Sequence, residues 1–372
     1  MRPAFSSTKH AAAFAAMMLV LLSLPAVVGK NLMPPREQAY ATQSWGSGPY
    51  PYIQQQLFEE KGDIDIAFLG SSHILHCLDA RRLQDELGKQ LGRPATVRVL
   101  GWGGAGYDAL YFIAKDLLAH RRVRMLVFYD DVNGTYRNAK GPVWFRFQDD
   151  ASALAGLPLR EKGLFYFASL VGMPRNLLCL VRPNLPADLR VKNYWEDHYR
   201  SINLTENLGS TTSELAFTAR NNPDADPSIP FIPYQPGNGT TPADCFIYSP
   251  LTRTNFEITN EPIPVWQIHF MHLLLALARQ QNCQLVQLSI PDLLGNYRAE
   301  RIEERAFWPE IFGTNLVMLG VPPARVFNRL SDEEVRRLYY NAGHLNKNGQ
   351  IYFTSLILPS LLQIYHETSL GH

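Results

Sequence analysis

The fold of this chain is decided by the stretch Ile64-Asp65-Ile66-Ala67-Phe68-Leu69-Gly70-Ser71-Ser72-His73. An apolar run rich in β-branched and aromatic residues stops at a glycine and two hydroxyls, and residues 74–87 then follow a helical pattern. This pattern predicts a buried strand, a tight turn and the start of a helix. Ligands of open α/β sheets bind beyond the carboxyl ends of the strands, and a helix start adds unpaired N–H groups that stabilise an oxyanion. Ser72 is therefore the candidate nucleophile.

The alternation of strand and helix continues along the chain and returns after a long irregular region. Apolar runs predict strands over 96–100, 123–129 and 284–290, and a short strand over 326–330. Helical periodicity predicts helices over 108–120, 266–281 and 347–366. Strands that alternate with helices at this spacing indicate an α/β fold, a three-layer sandwich with a central parallel sheet.

The chain divides into five segments. They are a signal peptide or N-terminal membrane anchor over 1–29, a linker or surface wrap over 30–60, the first part of the α/β domain over 61–140, an insertion over 141–261, and the second part of the domain over 262–372. The insertion is rich in Pro, Gly and Asn, which form turns and loops. Only residues 161–180 in it have a helical pattern, with a break expected at Pro174. We expect this insertion to be mostly irregular or helical and to lie over the active edge, not to form a separate sheet.

The amino end has the character of an export signal. Arg2 and Lys9 precede residues 11–28, an apolar segment interrupted only by Ser23 and Pro25. A basic region followed by an apolar one is typical of a secretory signal, and the length also reaches the lower limit for spanning a bilayer. Small residues near the end favour cleavage, whereas the lack of an A-x-A site favours a retained anchor, so both remain open. Either alternative predicts export, to the periplasm or the cell surface.

Composition excludes several classes of partner. The 372 residues are 46% hydrophobic and 19% charged, with a formal net charge of +1. This describes a globular protein, and the absence of a basic run argues against nucleic-acid binding. The cysteines (Cys77, Cys179, Cys245 and Cys283) include no C-x-x-C pair, so there is no zinc pattern, and one disulfide of unassigned pairing is compatible with them. We expect no metal and no cofactor.

The predicted strand ends carry the residue types that acyl transfer requires. The second strand leads into the glycine-rich turn Gly101–Gly106, where backbone N–H groups can approach an oxyanion closely. The third ends on Asp130 and Asp131, followed by Asn133, whose amide is a further donor. Near the carboxyl end, His344 lies in a Gly- and Asn-rich loop before the last helix. A serine nucleophile needs a base within hydrogen-bond reach, and we expect His344 to be that base.

These blocks together resemble those of the SGNH/GDSL hydrolase superfamily. Residues 70–73 are similar to its first block, with Ser72 in the position of the nucleophile, and residues 101–106 are similar to the second, whose glycine N–H joins the oxyanion hole. Asn133 lies where the third block has its asparagine, and residues 341–349 are similar to the final D-x-x-H-L-N-x-x-G block. The residues of these blocks, together with the predicted export signal, most resemble the membrane-associated, alginate O-acetyltransferase-like branch of the superfamily.

The resemblance covers roughly residues 61–140 and 262–366 and is absent from the insertion. It implies an SGNH-hydrolase-like, flavodoxin-like fold and an exported serine-dependent acyl (acetyl) transferase or esterase. It further implies a polysaccharide or other carbohydrate substrate, an acyl donor and a membrane-bound acyltransferase partner. Catalysis would use Ser72 and His344, with Gly101, Gly104 and Asn133 in the oxyanion hole.

One departure from this pattern matters for catalysis. The residue three before the histidine is normally an aspartate that stabilises the imidazolium, and here it is Asn341, whose amide carries no charge. In a serine-protease triad the Asp-to-Asn change costs about 10⁴ in turnover. Three outcomes are open: a Ser–His dyad oriented by Asn341, recruitment of another carboxylate such as Asp332 or Asp130, or loss of catalysis.

Each functional interpretation has a structural alternative. Ser71 and Ser72 are also good helix-capping residues, and the neighbouring His73 and His76 are expected to be helix-face residues without a catalytic role. Asn341 favours a second function class, a catalytically inactive scaffold or glycan-binding protein of an envelope polysaccharide assembly.

Overall fold

The computed structural model describes residues 7–27, 35–41, 50–102, 106–129, 141–146, 150–169, 246–248, 256–259, 264–293, 298, 302–305, 317–341 and 343–370. Its strands are β1 (Ile64–Gly70), β2 (Val97–Gly101), β3 (Val123–Tyr129), β4 (Phe246–Tyr248), β5 (Phe256–Thr259), β6 (Gln284–Leu288), β7 (Ile302–Arg305), β8 (Val317–Gly320), β9 (Tyr339–Asn341) and β10 (His344–Leu345).

The α-helices are α1 (Thr8–Val27), α2 (Arg36–Ala41), α3 (Tyr50–Gln54), α4 (Ser72–Leu75), α5 (Ala80–Leu91), α6 (Tyr107–His120), α7 (159–169), α8 (Val265–Gln280), α9 (Pro323–Val326), α10 (Asp332–Arg336) and α11 (Lys347–Leu370). One π-helical turn spans Gln55–Glu59, and two 3₁₀ turns span Gly141–Val143 and Ala151–Leu154.

The main sheet has the strand order β2-β1-β3-β6-β8-β4. The first five of these strands are parallel, and β4 adds to the edge antiparallel to β8. The parallel strands follow the order of flavodoxin-like sheets, in which the chain turns back to the other side of β1 and opens a crevice between the ends of β1 and β3. The last residue of β1, Gly70, is in register with Gly101 of β2 and Tyr129 of β3. Three strands therefore end side by side at one edge.

Helices cover both faces of the sheet. β1 is buried throughout, and its alternate residues point to opposite sides: Ala67 and Leu69 join one core, and Ile66 and Phe68 join the other. The first core is completed by α6 and α8, and the second by α5 and α11. A parallel sheet needs helices on both faces, which explains why its strands are almost continuously apolar. The fold is the α/β three-layer sandwich that the sequence predicts.

Two local predictions near the ends of the sheet are wrong. The helix predicted over 74–87 is two helices, α4 and α5, because the Asp79 side chain accepts a hydrogen bond from the Arg82 N–H at 3.2 Å and begins α5 there. The strand predicted over 326–330 is instead helix α9 and a turn, and the strand is β8 at Val317–Gly320. Pro322 and Pro323 favour a helix start at this position.

The segment predicted to be a linker or surface wrap packs into the protein in its described parts. Tyr40, Ile53 and Leu57 from residues 30–60 are fully buried in the core that contains α6. The sequence predicts a mostly irregular or helical insertion, but its described part contributes β4 to the main sheet, and its β5 pairs with β7 in a small separate sheet. Most of the insertion, including the break expected at Pro174, lies outside the described residues.

Helix α1 covers most of the apolar segment predicted to be a signal or an anchor. It exposes large apolar side chains, among them Phe14, Leu19 and Val20. Within the residues that the structure describes, no helix combines the length and apolar character that crossing a membrane requires. The alternatives of a cleaved signal and a retained anchor stay predictions from the sequence.

A buried charge network joins the amino-terminal segment to the sandwich. Arg36 lies 2.8 Å from a carboxylate oxygen of Asp116 and 2.9 Å from one of Asp150. Asp150, which is fully buried, also lies 2.7 Å from Lys115 Nζ and accepts a hydrogen bond from the Arg146 N–H at 2.8 Å. Burial raises the pKa of Asp150, but Arg36 and Lys115 outweigh it and hold this pKa below its ordinary value.

We expect D150A to lower the free energy of unfolding by about 3 kcal/mol, because it leaves Arg36 and Lys115 without their shared buried carboxylate. Urea denaturation measures the change. D85A is the matched control: it removes an exposed i,i+4 pair with Arg81 at 3.9 Å and should cost about 0.5 kcal/mol or less. Equal effects of the two substitutions would contradict a stabilising role for the network.

Candidate active site

A serine hydroxyl and an imidazole from opposite ends of the chain meet at the carboxyl edge of the sheet. The Ser72 Oγ lies 2.7 Å from the His344 Nε2. Ser72 is the first residue of α4, directly beyond β1, and His344 begins β10. This distance is that of a good hydrogen bond between a nucleophile and its general base. The structure thus brings together the two residues that the sequence predicts as nucleophile and base.

The close approach of backbones at the strand ends fixes the position of Ser72. A Cβ atom at Gly70 would collide with the carbonyl oxygen of Tyr129, and one at Gly101 would collide with the Leu75 side chain. Only glycine allows these segments to lie so close. Ser71 occupies the N-cap position of α4, but its side chain makes no capping bond, and the Ser72 hydroxyl contacts His344. Helix capping therefore does not account for this pair of serines.

The loop that carries His344 is held by its own hydrogen bonds. Asn346 donates from its side chain to the Arg337 carbonyl at 2.7 Å and from its backbone to the Leu338 carbonyl at 2.8 Å. Its side-chain oxygen accepts from the Gly349 N–H at 3.1 Å, near the start of α11. These bonds fix the turn between the β9–β10 hairpin and the last helix, and with it the position of His344.

Two further histidines surround the imidazole of His344. The His73 ring stacks on it with a centroid distance of 4.7 Å and an interplanar angle of 28°. The His76 ring meets it edge-on at 5.4 Å, and the Tyr129 ring lies 5.2 Å from His73. Both helix-face histidines therefore line the candidate site, a role that sequence reasoning missed. The signal was their spacing of three residues in the turn after Ser72, which places both rings on one side.

The surroundings keep this imidazole neutral at neutral pH. Burial, with a smaller effect of His73, lowers the pKa of His344 to about 4, while the charge of Asp292 acts in the opposite direction. Burial likewise lowers the pKa of His73 to about 4. A neutral imidazole accepts a proton, so His344 is in the form that a general base requires.

The other predicted residues divide into three groups. Gly101 ends β2 beside Gly70, within the predicted oxyanion region. Asn341 pairs through its backbone with His344 in the β9–β10 hairpin, but its side chain lies outside the described residues, as do Gly104, Asp130, Asp131 and Asn133 in full. Asp332, one alternative carboxylate, instead forms an ion pair with Arg298 at 2.7 Å.

Asp292 is a charged group at the site that sequence reasoning missed. It follows β6 at the same edge of the sheet, and its charge acts on His344. The available signal was the position of the Pro291-Asp292 pair after an apolar strand, the same placement that identified Ser72 after β1.

No metal centre is formed by the residues that the structure describes, since no group of three or more His, Cys, Asp or Glu side chains is arranged to hold an ion. Cys77 and Cys283 are buried and are not joined in a disulfide.

Comparisons with known proteins do not assign a family. No protein-family model matches the chain, and a search of curated proteins finds no significant match. The SGNH resemblance therefore stays a prediction from four short sequence blocks. The contact between Ser72 and His344 is the independent structural observation.

We expect the imidazole of His344 to titrate at about pH 4, whereas ordinary histidines titrate at about pH 6.5. ¹⁵N NMR of histidine-labelled protein measures the midpoint, with H344Q to assign the signal. H73F should raise this midpoint, because the charge of protonated His73 disfavours protonation of His344.

A pKa that is lower in the folded state than in the unfolded chain also affects stability. The folded protein binds fewer protons than the unfolded one, so stability should be lost as the pH falls from about 6.5 towards 4. A midpoint of the His344 titration at or above about 6.5 would contradict the neutral state of this half-buried base.

Proposed function

We propose that this protein is an exported serine-dependent acyl (acetyl) transferase or esterase that acts on a polysaccharide or other carbohydrate. The observation that carries the proposal is the 2.7 Å contact between Ser72 Oγ and His344 Nε2. It lies beside the ends of β1 and β3, where the strand order opens a ligand-binding crevice. Burial lowers the pKa of His344, so its imidazole is neutral, and able to accept a proton, at neutral pH.

In the proposed reaction, Ser72 Oγ attacks the carbonyl carbon of an acyl donor while His344 Nε2 takes the hydroxyl proton. Backbone N–H groups at Ser72 and Gly101, joined by Gly104 and the Asn133 amide, hold the oxyanion of the tetrahedral intermediate. His344 then returns the proton to the leaving group, and an acyl-serine remains. A sugar hydroxyl, or water in an esterase, attacks this ester as His344 takes its proton, and His344 then gives that proton to Ser72 Oγ as the serine leaves.

The substrate and the location are supported by the sequence. The resemblance of the blocks at residues 70–73, 101–106 and 341–349 to the alginate O-acetyltransferase-like branch favours a carbohydrate ester. The basic and apolar amino end favours export to the periplasm or cell surface, with membrane association if residues 11–28 are retained. A membrane-bound acyltransferase that supplies the acyl group is the proposed partner.

A specific observation favours a second function. Asn341 occupies the position of the triad aspartate and contributes no charge to His344. A protein that had lost catalysis would keep the sheet and use the crevice to bind glycan, as a scaffold of an envelope polysaccharide assembly.

Fluorophosphonate labelling of the full-length chain in detergent separates the two functions. We expect covalent modification at Ser72, loss of labelling in S72A, and a fall in acetyl-ester cleavage of roughly 10³-fold or more in that variant. S71A is the matched control and should retain labelling, since the Ser71 hydroxyl makes no hydrogen bond to His344 among the described residues. Unchanged acetyl-ester cleavage in S72A would overturn the mechanism. An unlabelled wild-type protein that binds glycan would establish the scaffold instead.

A further inference from the structure

The contact with Ser72 engages only one nitrogen of the His344 ring. Its Nε2 faces the serine, so the Nδ1 edge points away from it. In serine–histidine–carboxylate sites, a buried carboxylate at that second nitrogen holds the tautomer and stabilises the imidazolium that forms during the reaction. Asn341 supplies no such charge. The site requires a carboxylate from another part of the chain if it is to match a full triad.

Asp292 lies on a segment that leaves the sheet at the same edge. β6 is bonded to β3 on one side and β8 on the other, and all three run in the same direction. Directly after β6, the Ser289 N–H donates to the Leu319 carbonyl at 2.8 Å, so the chain is still held to the sheet there. Residues 289–293 therefore emerge beside the end of β3, next to the crevice that contains Ser72.

A buried hydrogen bond ties this segment to the hairpin that carries the imidazole. The Tyr339 hydroxyl donates to the Pro291 carbonyl at 2.7 Å, and Tyr339 itself is 1% exposed. Tyr339 belongs to β9, which pairs with β10 through Leu345 and His344. The residue after Pro291 is thus anchored to the element that positions His344.

The charges around His344 are consistent with this placement. His73 and His76 pack against the ring, and the charge of protonated His73 lowers its pKa, as burial does. The charge of Asp292 acts in the opposite direction and offsets part of this lowering of the His344 pKa. Burial raises the pKa of Tyr339, and the charge of Asp292 adds to this effect.

We propose that Asp292 is the positioning residue for His344: its carboxylate faces the ring edge remote from Ser72, holds the productive tautomer and stabilises the imidazolium. It takes the role that an aspartate at position 341 would have. This inference rests on the proposed function and names the third member of its catalytic site. The third member thus comes from the loop after β6, not from the loop of the histidine.

The test uses the full-length chain and the variants D292N, D292S and D292E. Histidine ¹⁵N NMR gives the pKa of His344, and the rate of fluorophosphonate labelling gives the reactivity of Ser72. In D292N and D292S the pKa of His344 should fall, because the imidazolium loses its neighbouring anion. The labelling rate at neutral pH should fall at least about tenfold. We expect a smaller loss than the roughly 10⁴-fold fall in turnover that the Asp-to-Asn change causes in a serine-protease triad. D292E should recover most of both.

D332N is the matched control. It removes an exposed aspartate whose partner is Arg298, and it should change neither the pKa of His344 nor the labelling rate. Asp292 is half-buried, so we expect its substitution to leave the fold intact. The pKa of His344 in either folded variant, D292N or D292S, tests the role of Asp292.

An unchanged pKa of His344 in a folded Asp292 variant would overturn the proposal, whatever happens to labelling. Loss of labelling without a shift in this pKa would mean a structural role and would also overturn it. If the wild-type protein is not labelled at all, the proposed function fails. The titration of His344 still tests its pairing with Asp292 in that case.

Discussion

The site depends on the close approach of the β1, β2 and β3 backbones at their carboxyl ends. Gly70 lies between Gly101 and Tyr129 in the parallel ladder, with no space for a Cβ atom against the Tyr129 carbonyl. This contact ends the strand sharply and starts a helix at once, so that Ser72 is presented at the crevice and not on the face of the sheet. The neighbouring strands fix the position of the Ser72 hydroxyl, and the turn at Asn346 positions the His344 imidazole within hydrogen-bond distance of it.

Burial accounts for the chemistry that this contact allows. An imidazole packed against two other histidines in a poorly solvated site is neutral at physiological pH, and a neutral imidazole can take a proton from serine. The same burial makes the imidazolium costly when it forms in the reaction. A nearby carboxylate would offset this cost, and this is the role that we propose for Asp292.

Much of the fold follows from short-range patterns. The bounds of β1 and β3 match apolar runs flanked by turn residues, and Ser72 and His344 stand out because glycines and asparagines surround them. β8 and β4 are harder to predict, since both strands are short, and β4, at the edge of the sheet, pairs with a strand far along the chain. The contact of His73 with His344 and the effect of the Asp292 charge on that imidazole also arise from tertiary packing. No periodicity in the sequence brings the loop after β6 to the β9–β10 hairpin.

The hydrogen bond between Ser72 and His344 is the contact on which the proposed chemistry depends. A crystal structure of the protein at neutral pH measures this directly. In that structure we expect a separation of 2.7 Å between Ser72 Oγ and His344 Nε2, with His73 stacked on the imidazole. Side chains held more than about 5 Å apart, with no hydrogen bond between them, would contradict it.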